Sequence, residues 1–218
     1  MKKILTALLV CALPAIAFTA CKTKMDYFAY VSDYRDAFYF YESDDLEVKV
    51  YSAERETPYS LDGIKGKTTH LTEIYLTFDG ECKEAEISLN GRGGGEMSYI
   101  ATARNYYLSF PDEAIEGASL SAKVKLDGKE REIEIKNVAS EGVIDGKTAL
   151  DCVREYDGER FESLCESYAF KGEISVRLLY DEGCYYYVGL CDRNKNVHAY
   201  LVDGNDGRVI AEHDSGAE

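Results

Sequence analysis

The sequence predicts a mostly β protein in which an antiparallel β-sandwich is followed by a small α+β domain. Between residues 27 and 138 apolar residues alternate with polar ones, which is the period of half-buried strands. Residues 149–168 instead carry apolar side chains at helical spacing. The alternation returns after residue 174, so a second group of strands is expected to follow the helices.

The first predicted strands begin in an aromatic run. Phe38–Tyr41 indicates an early strand, and residues 46–50 alternate aliphatic with polar side chains. His70, Thr72, Ile74, Leu76 and Phe78 share one parity, and Ala85, Ile87 and Leu89 repeat the pattern. Asp79-Gly80 lies between these segments and suits a tight turn, so they are predicted to form a hairpin.

A further strand is predicted at residues 106–110, and a second hairpin follows it. Residues 120–126 and 133–135 alternate on either side of Asp127-Gly128, a dipeptide that accepts positive φ at both turn positions. Lysines of the first arm would lie opposite glutamates of the second, which favours one register. Seven or eight short strands with no helical period predict an immunoglobulin-like sandwich over residues 21–139.

The pattern changes at Asp145, where helical spacing begins. Asp157-Gly158 divides it into two short amphipathic helices or one broken helix. The apolar positions of the two halves are Ala149, Cys152, Val153 and Tyr156, then Phe161, Leu164, Cys165 and Tyr168. Strands are expected at residues 174–180, 185–188, 197–201 and 209–210. These elements predict an α+β domain over residues 140–218, which is expected to fold by itself.

Charge and hydropathy exclude two classes of protein. The 218 residues include 40 acidic and 25 basic side chains, for a formal net charge of −15. A surface this acidic repels phosphate, which argues against nucleic acid as a partner. There is no second long apolar run after the N-terminus, which argues against a protein with several membrane spans.

The N-terminus has the pattern of a secretory signal over residues 1–20. Two lysines precede the apolar segment 4–17, and small residues then lead to Cys21. Phe18-Thr19-Ala20-Cys21 resembles a bacterial lipobox, although Phe18 stands where an aliphatic residue is usual. The resemblance implies that Cys21 is lipidated and anchors the protein to the outer face of the cytoplasmic membrane. An ordinary signal peptide with an unmodified Cys21 is the alternative.

The C-terminal third resembles the PepSY domain. The resemblance covers about residues 145–212 and depends on an aromatic-rich strand, a turn, and a strand that leads into an Asp-containing hairpin. Asp203, Gly207 and Val209 match the family's hairpin, whereas Asp206 replaces the usual threonine. A lipobox, a sandwich and a PepSY-like module in this order are also similar to surface lipoproteins of Gram-positive bacteria. PepSY modules are thought to bind or restrain partners, so the resemblance implies an interaction module without catalytic residues.

The cysteines do not form a recognised motif. After Cys21 the chain contains Cys82, Cys152, Cys165, Cys184 and Cys191, with no C-x-x-C pair. Free, buried thiols are favoured because unpaired cysteine commonly packs as a small apolar residue. Cys152 and Cys165 both lie on apolar helix stripes, so they form the one plausible disulfide.

Motifs for catalysis or metal binding are also missing from the sequence. The three histidines include no His-x-x-x-His pair, and there is no Gly-x-Ser-x-Gly elbow. Asp192, Asn194, Asn196 and Asp203 have the spacing of calcium-loop positions 1, 3, 5 and 12, but Val197 replaces the required glycine. A hairpin turn explains these residues without calcium, so neither a metal nor a cofactor is expected.

Tyrosine is the side chain that points most directly to a function. The chain contains 18 tyrosines and no tryptophan. Tyr185, Tyr186 and Tyr187 would point alternately to the two faces of a strand, which predicts an exposed interaction surface. Half-buried strand residues without a binding role are the alternative.

These observations predict a non-enzymatic, lipid-anchored envelope protein that binds an envelope protein or a cell-wall component. A solute- or glycan-binding surface receptor would instead show a deep, aromatic-lined pocket. A hydrolase with paired carboxylates would need two converging acids, which the sequence does not place.

Overall fold

The computed structural model describes residues 25–57, 65–139, 142–167 and 169–215, which form fifteen strands, two α-helices and a short 3-10 helix. The predicted signal segment, Cys21, Ser140 and Tyr168 lie outside the described residues. The first nine strands are β1 (Val31–Glu42), β2 (Leu46–Glu56), β3 (Thr68–Phe78), β4 (Ala85–Leu89), β5 (Gly93–Glu96), β6 (Ser98–Ile100), β7 (Asn105–Pro111), β8 (Ser119–Leu126) and β9 (Lys129–Asn137). They are followed by α1 (Gly146–Tyr156), α2 (Gly158–Ser163), β10 (Cys165–Glu166), β11 (Ala169–Phe170), β12 (Glu173–Tyr180), β13 (Cys184–Cys191), β14 (Val197–Asp203) and β15 (Val209–Asp214).

Thirteen of the strands form one sheet. Its longest path runs β15-β14-β13-β12-β1-β2-β3-β7-β6, and β9 also pairs with β1, then continues through β8 to β4 and β5. The mostly β composition is therefore confirmed. The N-terminal strands curl into a nearly closed, barrel-like arrangement around one apolar core.

This first core follows from the alternation seen in the sequence. In β2 the side chains of Leu46, Val48 and Val50 are buried, and Ile74 and Leu76 of β3 meet them across the paired strands. Facing strands contribute further aliphatic residues, including those of the β8–β9 hairpin. Burial of one face of each strand removes this apolar surface from water and fixes the register.

The predicted hairpin at Asp127-Gly128 is confirmed. β8 and β9 pair up to Leu126 opposite Lys129, and the two turn residues have φ values of 45° and 82°. Lys123 lies opposite Glu132, as the sequence predicted. The Asp127 carboxylate also accepts hydrogen bonds from the backbone amides of residues 83 and 84, which lower its pKa.

The predicted hairpin around Asp79-Gly80 is wrong. β3 pairs with β2 and β7, whereas β4 pairs with β5 and β8. The amide of Asp79 donates to the carbonyl of Asp45. The residues that follow carry the chain to β4, which pairs with β8 in the branch of the sheet that contains β9, β8, β4 and β5. Because β3 and β4 both point their apolar faces into one core, alternation alone could not show whether they are neighbours or lie in different branches of the sheet.

The first helix and the final strands agree with the sequence pattern, although Tyr156, predicted on the apolar face, is exposed. The second helix was predicted to continue beyond Cys165, which is wrong, because α2 ends at Ser163 and Cys165 begins β10. Asp145 caps α1 by accepting a hydrogen bond from Thr148 N at 2.7 Å, and Asp157 caps α2 through Arg160 N at 3.1 Å. The two helices contribute buried apolar residues to a second core, and α1 contacts β12, β13 and β14. β12 to β15 form the predicted antiparallel meander.

One strand joins the two cores. β1 runs parallel to β12, with Val31 paired to Ile174 and Arg35 paired to Arg177. The sequence predicted only antiparallel strands, so this parallel pair was not expected. A register shift between Arg35 and Ala37 interrupts the β1–β2 ladder. Val31 lies in the second core and Ala37 in the first, so β1 contributes to both. The predicted boundary at residues 139–140 stays a prediction.

Candidate functional site

An open cleft of about 380 Å³ lies beside the junction of β1 and β12. Side chains or backbone of five strands line it: Asp33, Arg55, Ser175, Arg177, Tyr187, Gly189, Cys191 and Val197. A volume of this size lies within the range of small-ligand pockets. The cleft is therefore the candidate functional site of the described chain.

Strand register brings the charged residues of the cleft together. Asp33 of β1 pairs with Ser175 of β12 on one side and with Arg55 of β2 on the other. In β12 the side chains of Ile174 and Val176 are buried in the second core, so alternation directs Ser175 and Arg177 to the opposite face.

Asp33 is the central acceptor of the cleft, and its side chain is only 7% exposed. Its Oδ2 accepts a hydrogen bond from Arg177 Nε at 2.8 Å and also contacts Arg177 Nη2. Its Oδ1 accepts from Arg55 Nε at 3.4 Å. A carboxylate buried to this extent is stable only when cations and donors compensate the lost water, which these two arginines do.

Glu73 extends the network beneath the cleft. Arg55 Nη1 and Nη2 donate to its two carboxylate oxygens at 3.1 and 3.3 Å, a bidentate geometry. Arg35 Nη2 lies 3.5 Å from Glu73 Oε2, and the Tyr107 hydroxyl donates to Oε1 at 3.1 Å. Burial by itself lowers the pKa of Arg55, but the hydrogen bonds and charges of Glu73 and Asp33 outweigh it and raise the pKa overall.

An aromatic layer adjoins the network. The Arg35 guanidinium carbon lies 4.0 Å from the ring centroid of Tyr51, in cation–π geometry, and Phe38 stacks on the same tyrosine at 4.5 Å. Burial raises the pKa of Tyr51 and, with the Glu73 charge as a smaller cause, also that of Tyr107. Both phenols therefore stay neutral at physiological pH.

The three tyrosines predicted as an interaction surface divide between the two faces of β13. Tyr185 and Tyr187 are half-buried, whereas Tyr186 is buried and donates from its hydroxyl to the carbonyl of Ile144 at 2.9 Å. Burial raises the pKa of Tyr186. Tyr187 lines the cleft, with its ring centroid 5.6 Å from the Arg177 guanidinium carbon. The role of these residues in binding stays a prediction.

Tyr187 lies against the backbone of Gly189. A Cβ atom at Gly189 would come within 2.6 Å of the Tyr187 hydroxyl oxygen, so only glycine permits this position of the ring. The glycine thereby allows the Tyr187 ring to lie along the cleft near Arg177.

The remaining lining group with chemical reactivity is Cys191. Burial, followed by the charges of Asp192 and Glu173, raises the pKa of its thiol, so the neutral form dominates near pH 7. The thiol donates to the carbonyl of Asp192 at 3.6 Å. These features make Cys191 a poor nucleophile.

The cysteines of the described chain are unpaired. Cys82, Cys152, Cys165, Cys184 and Cys191 all have free thiols. Only Cys184 is buried, so the expectation of buried thiols is wrong for the other four, which are half-buried.

The calcium-like spacing belongs to two separate turns. Asp192 Oδ1 accepts hydrogen bonds from the amides of Asn194 and Asn196, and Asp203 Oδ1 accepts from the amide of Asn205. These carboxylates therefore stabilise their own turns. Within the described ranges, no group of three or more His, Cys, Asp or Glu side chains has a metal-binding arrangement.

Sequence reasoning missed the charged residues of the cleft. Arg177 stands between Val176 and Leu178, where alternation indicated only an ordinary solvent-facing position. Its partner Asp33 lies 144 residues earlier. The sequence offered one signal for these residues, which is that charged side chains stand at alternate positions in otherwise apolar strands. This signal does not show which charged side chains pair with one another.

Comparisons with known proteins found no matching family model, no matching curated protein and no matching solved structure. Neither helix of the described chain has the length and apolar character needed to cross a lipid bilayer. The geometry and charge of the cleft are therefore the observations that bear on function.

Proposed function

We propose that this protein is a non-enzymatic binding protein of the bacterial cell envelope, which holds an envelope protein or a cell-wall component at the cleft and at the adjoining tyrosine face of β13. The observation that carries this proposal is the state of the cleft's charged groups. Asp33 and Glu73 are both held by arginines, while the side chains of Arg55 and Arg177 remain 33% and 39% exposed. This arrangement presents fixed donors to a partner.

The same contacts favour binding over hydrolysis. A hydrolase with paired carboxylates needs one acid that can exchange a proton with substrate. Asp33 and Glu73 are the converging acids of this region, and each accepts hydrogen bonds from arginine side chains. Cys191 has a raised pKa, so the cleft also lacks an activated thiol.

The finer fold assignment belongs to the same proposal. We infer that the barrel-like strands β1 to β9 form an immunoglobulin-like module and that the helices with β12 to β15 form a PepSY-like module. Support for the second assignment comes from the order of a capped helix and a four-stranded antiparallel meander. A PepSY-like module fits a role in binding or restraining a partner.

We further propose that Cys21 carries the lipid anchor. Three residues separate Cys21 from the first described residue, Met25, and an extended chain of this length spans only about 14 Å. Lipidation would therefore hold the folded part close to the membrane surface, where envelope partners are concentrated. Stable anchoring by acyl chains needs more than one chain on the protein.

Replacement of Cys21 with serine tests the anchor. We expect Cys21→Ser to move the protein from the membrane fraction to the medium, with a loss of intact mass equal to the acyl groups, because serine cannot form the thioether. Cys82→Ser is the matched control and should stay in the membrane fraction. Equal membrane retention of both variants would contradict lipidation at Cys21.

A photo-crosslinking residue at position 185 tests the binding function. Tyr185 shares a face of β13 with Tyr187 and is half-buried, so p-benzoylphenylalanine in its place should capture a partner in cells that produce the full chain. The matched control is Tyr156 of α1, whose side chain is 58% exposed. We expect a discrete adduct from position 185 and none from position 156. Equal adducts from both positions, or none from position 185, would reject the proposal.

A further inference from the structure

We propose that the cleft is a binding site for one carboxylate group, carried either by a small organic acid or by the C-terminus of a peptide. This inference deepens the proposed function, because it names the chemical group recognised at the same surface. It rests on the unused donors of the cleft, the buried charges around it and its shape.

Arginine donors remain available after the internal ion pairs are formed. A guanidinium carries five N–H groups. Arg177 directs Nε and Nη2 to Asp33, which leaves three N–H groups without an acceptor in the described part of the chain. Arg55 uses Nε on Asp33 and both terminal nitrogens on Glu73, which leaves two. These free groups are fixed by the internal pairs, so they are preorganised for an oxyanion.

The charges around the cleft favour a ligand with a single negative charge. Three arginines, Arg35, Arg55 and Arg177, hold the carboxylates of Asp33 and Glu73. Glu173 is also buried and pairs with Cys191, so it brings a third carboxylate to this side of β12. The acids thus match the arginine charges, and the cleft offers a monoanion its unused N–H donors. A dianion such as hydrogen phosphate would place a second negative charge beside these buried acids, and like charges so close repel strongly in a site of low dielectric constant.

The shape of the cleft fits an organic carboxylate better than an inorganic ion. Ser175 presents a hydroxyl that can donate a hydrogen bond, and the Tyr187 ring packs against the backbone of Gly189 beside it. The Tyr187 ring and Val197 provide apolar walls. The volume of about 380 Å³ holds the carboxylate together with one or two attached organic groups. Bidentate contact with a guanidinium then orients the carboxylate plane.

Titration of the purified chain tests the inference and distinguishes the two sources of carboxylate. The chain carrying Cys21→Ser is titrated with N-acetyl-Ala-Ala, with its C-terminal amide, with benzoate and with inorganic phosphate, while NMR follows the Arg177 Nε–H signal. We expect saturable shifts with at least one of the two carboxylates and binding at least tenfold weaker for the amide. Preference for the peptide identifies a C-terminus, and preference for benzoate identifies a free organic acid.

Three results would overturn the inference. These are the absence of saturable binding by either carboxylate, equal binding of peptide acid and peptide amide, and tighter binding of phosphate than of both carboxylates. One of these three results, together with a discrete cross-link from position 185, would mean that the partner is bound by other chemistry. In that case the carboxylate inference is lost and the proposed binding function is retained.

Two variants locate the site. Arg177→Met should weaken carboxylate binding at least tenfold, whereas Arg208→Met, at an arginine that is 71% exposed in the β14–β15 turn, should leave it unchanged. Gly189→Ala keeps every charge but displaces the Tyr187 ring, since the new Cβ would lie 2.6 Å from its hydroxyl oxygen. Gly189→Ala should also weaken carboxylate binding. If Arg177→Met fails to fold, the affinity of Gly189→Ala alone tests whether the carboxylate binds in the cleft. Full affinity in a folded Arg177→Met or Gly189→Ala variant would place the carboxylate elsewhere.

Discussion

Glu73→Ala should lower the free energy of unfolding by about 3–5 kcal/mol, the range observed when one partner of a buried ion pair is removed. The Glu73 side chain is 3% exposed and compensates Arg35 and Arg55 while accepting a hydrogen bond from Tyr107. Its loss leaves Arg35 and the half-buried Tyr107 phenol without this acceptor, and it leaves Arg55 with Asp33 alone. Because a domain of this kind is stable by only about 5–15 kcal/mol, the change should be evident in urea-induced unfolding.

An exposed glutamate provides the control for this measurement. Glu130 lies 3.4 Å from Lys123, and its side chain is 55% exposed. Ion pairs in water contribute about 0–1 kcal/mol, so Glu130→Ala should barely change the unfolding midpoint. Equal midpoints for Glu73→Ala and Glu130→Ala would mean that the network under the cleft does not stabilise the fold.

Residues 143–218 expressed alone should fail to give a cooperative unfolding transition or a well-dispersed NMR spectrum. From the sequence these residues are expected to fold by themselves, whereas the contacts between β1 and β12 favour the opposite outcome, and this experiment decides between the two. β12 pairs along one edge with β1, and Val31 and Phe38 of β1 lie in the second core. Without β1 the edge of β12 exposes unpaired backbone groups, and the second core loses both side chains.

Supplying the missing strand should reverse this loss. Residues 25–42, joined to residues 143–218 through a flexible Gly-Ser linker, restore the β1–β12 ladder. They also restore the aromatic contacts that Tyr27 of the 3-10 helix (Tyr27–Tyr30) makes with Phe161 and Phe170. The same fusion with Val31→Asp and Phe38→Asp is the control, because charges cannot be buried in that core. A dispersed spectrum from residues 143–218 alone would contradict this interpretation and support an independent domain.

Local features of the fold could be predicted from the sequence. Asp127-Gly128 identified its hairpin because the turn residues and the cross-strand charges specify the same register. The starts of the two helices were predictable because Asp145 and Asp157 precede apolar residues at helical spacing, whereas the end of α2 at Ser163 was not. In each case the determining residues lie within a few positions of one another.

Pairings between distant strands could not be predicted. Alternation shows which residues of a strand are buried, but it does not show which strand lies next to it. The parallel pairing of Tyr34 with Val176 joins positions that are 142 residues apart. The cleft is built on this pairing, so Asp33 and Arg177 could not be recognised as partners. Of the tyrosines singled out in the sequence, Tyr187 alone lines the cleft.

Backbone NOEs of the full chain test most directly whether β1 and β12 together form the cleft. With uniform ¹⁵N and ¹³C labelling, the parallel register predicts contacts between backbone protons of Tyr34 and those of Val176 and Arg177. These contacts should appear together with antiparallel contacts between Asp33 and Arg55. Contacts from β1 to β2 without any contact from β1 to β12 would show that Asp33 and Arg177 do not share a site, and would contradict the cleft and the functions proposed for it.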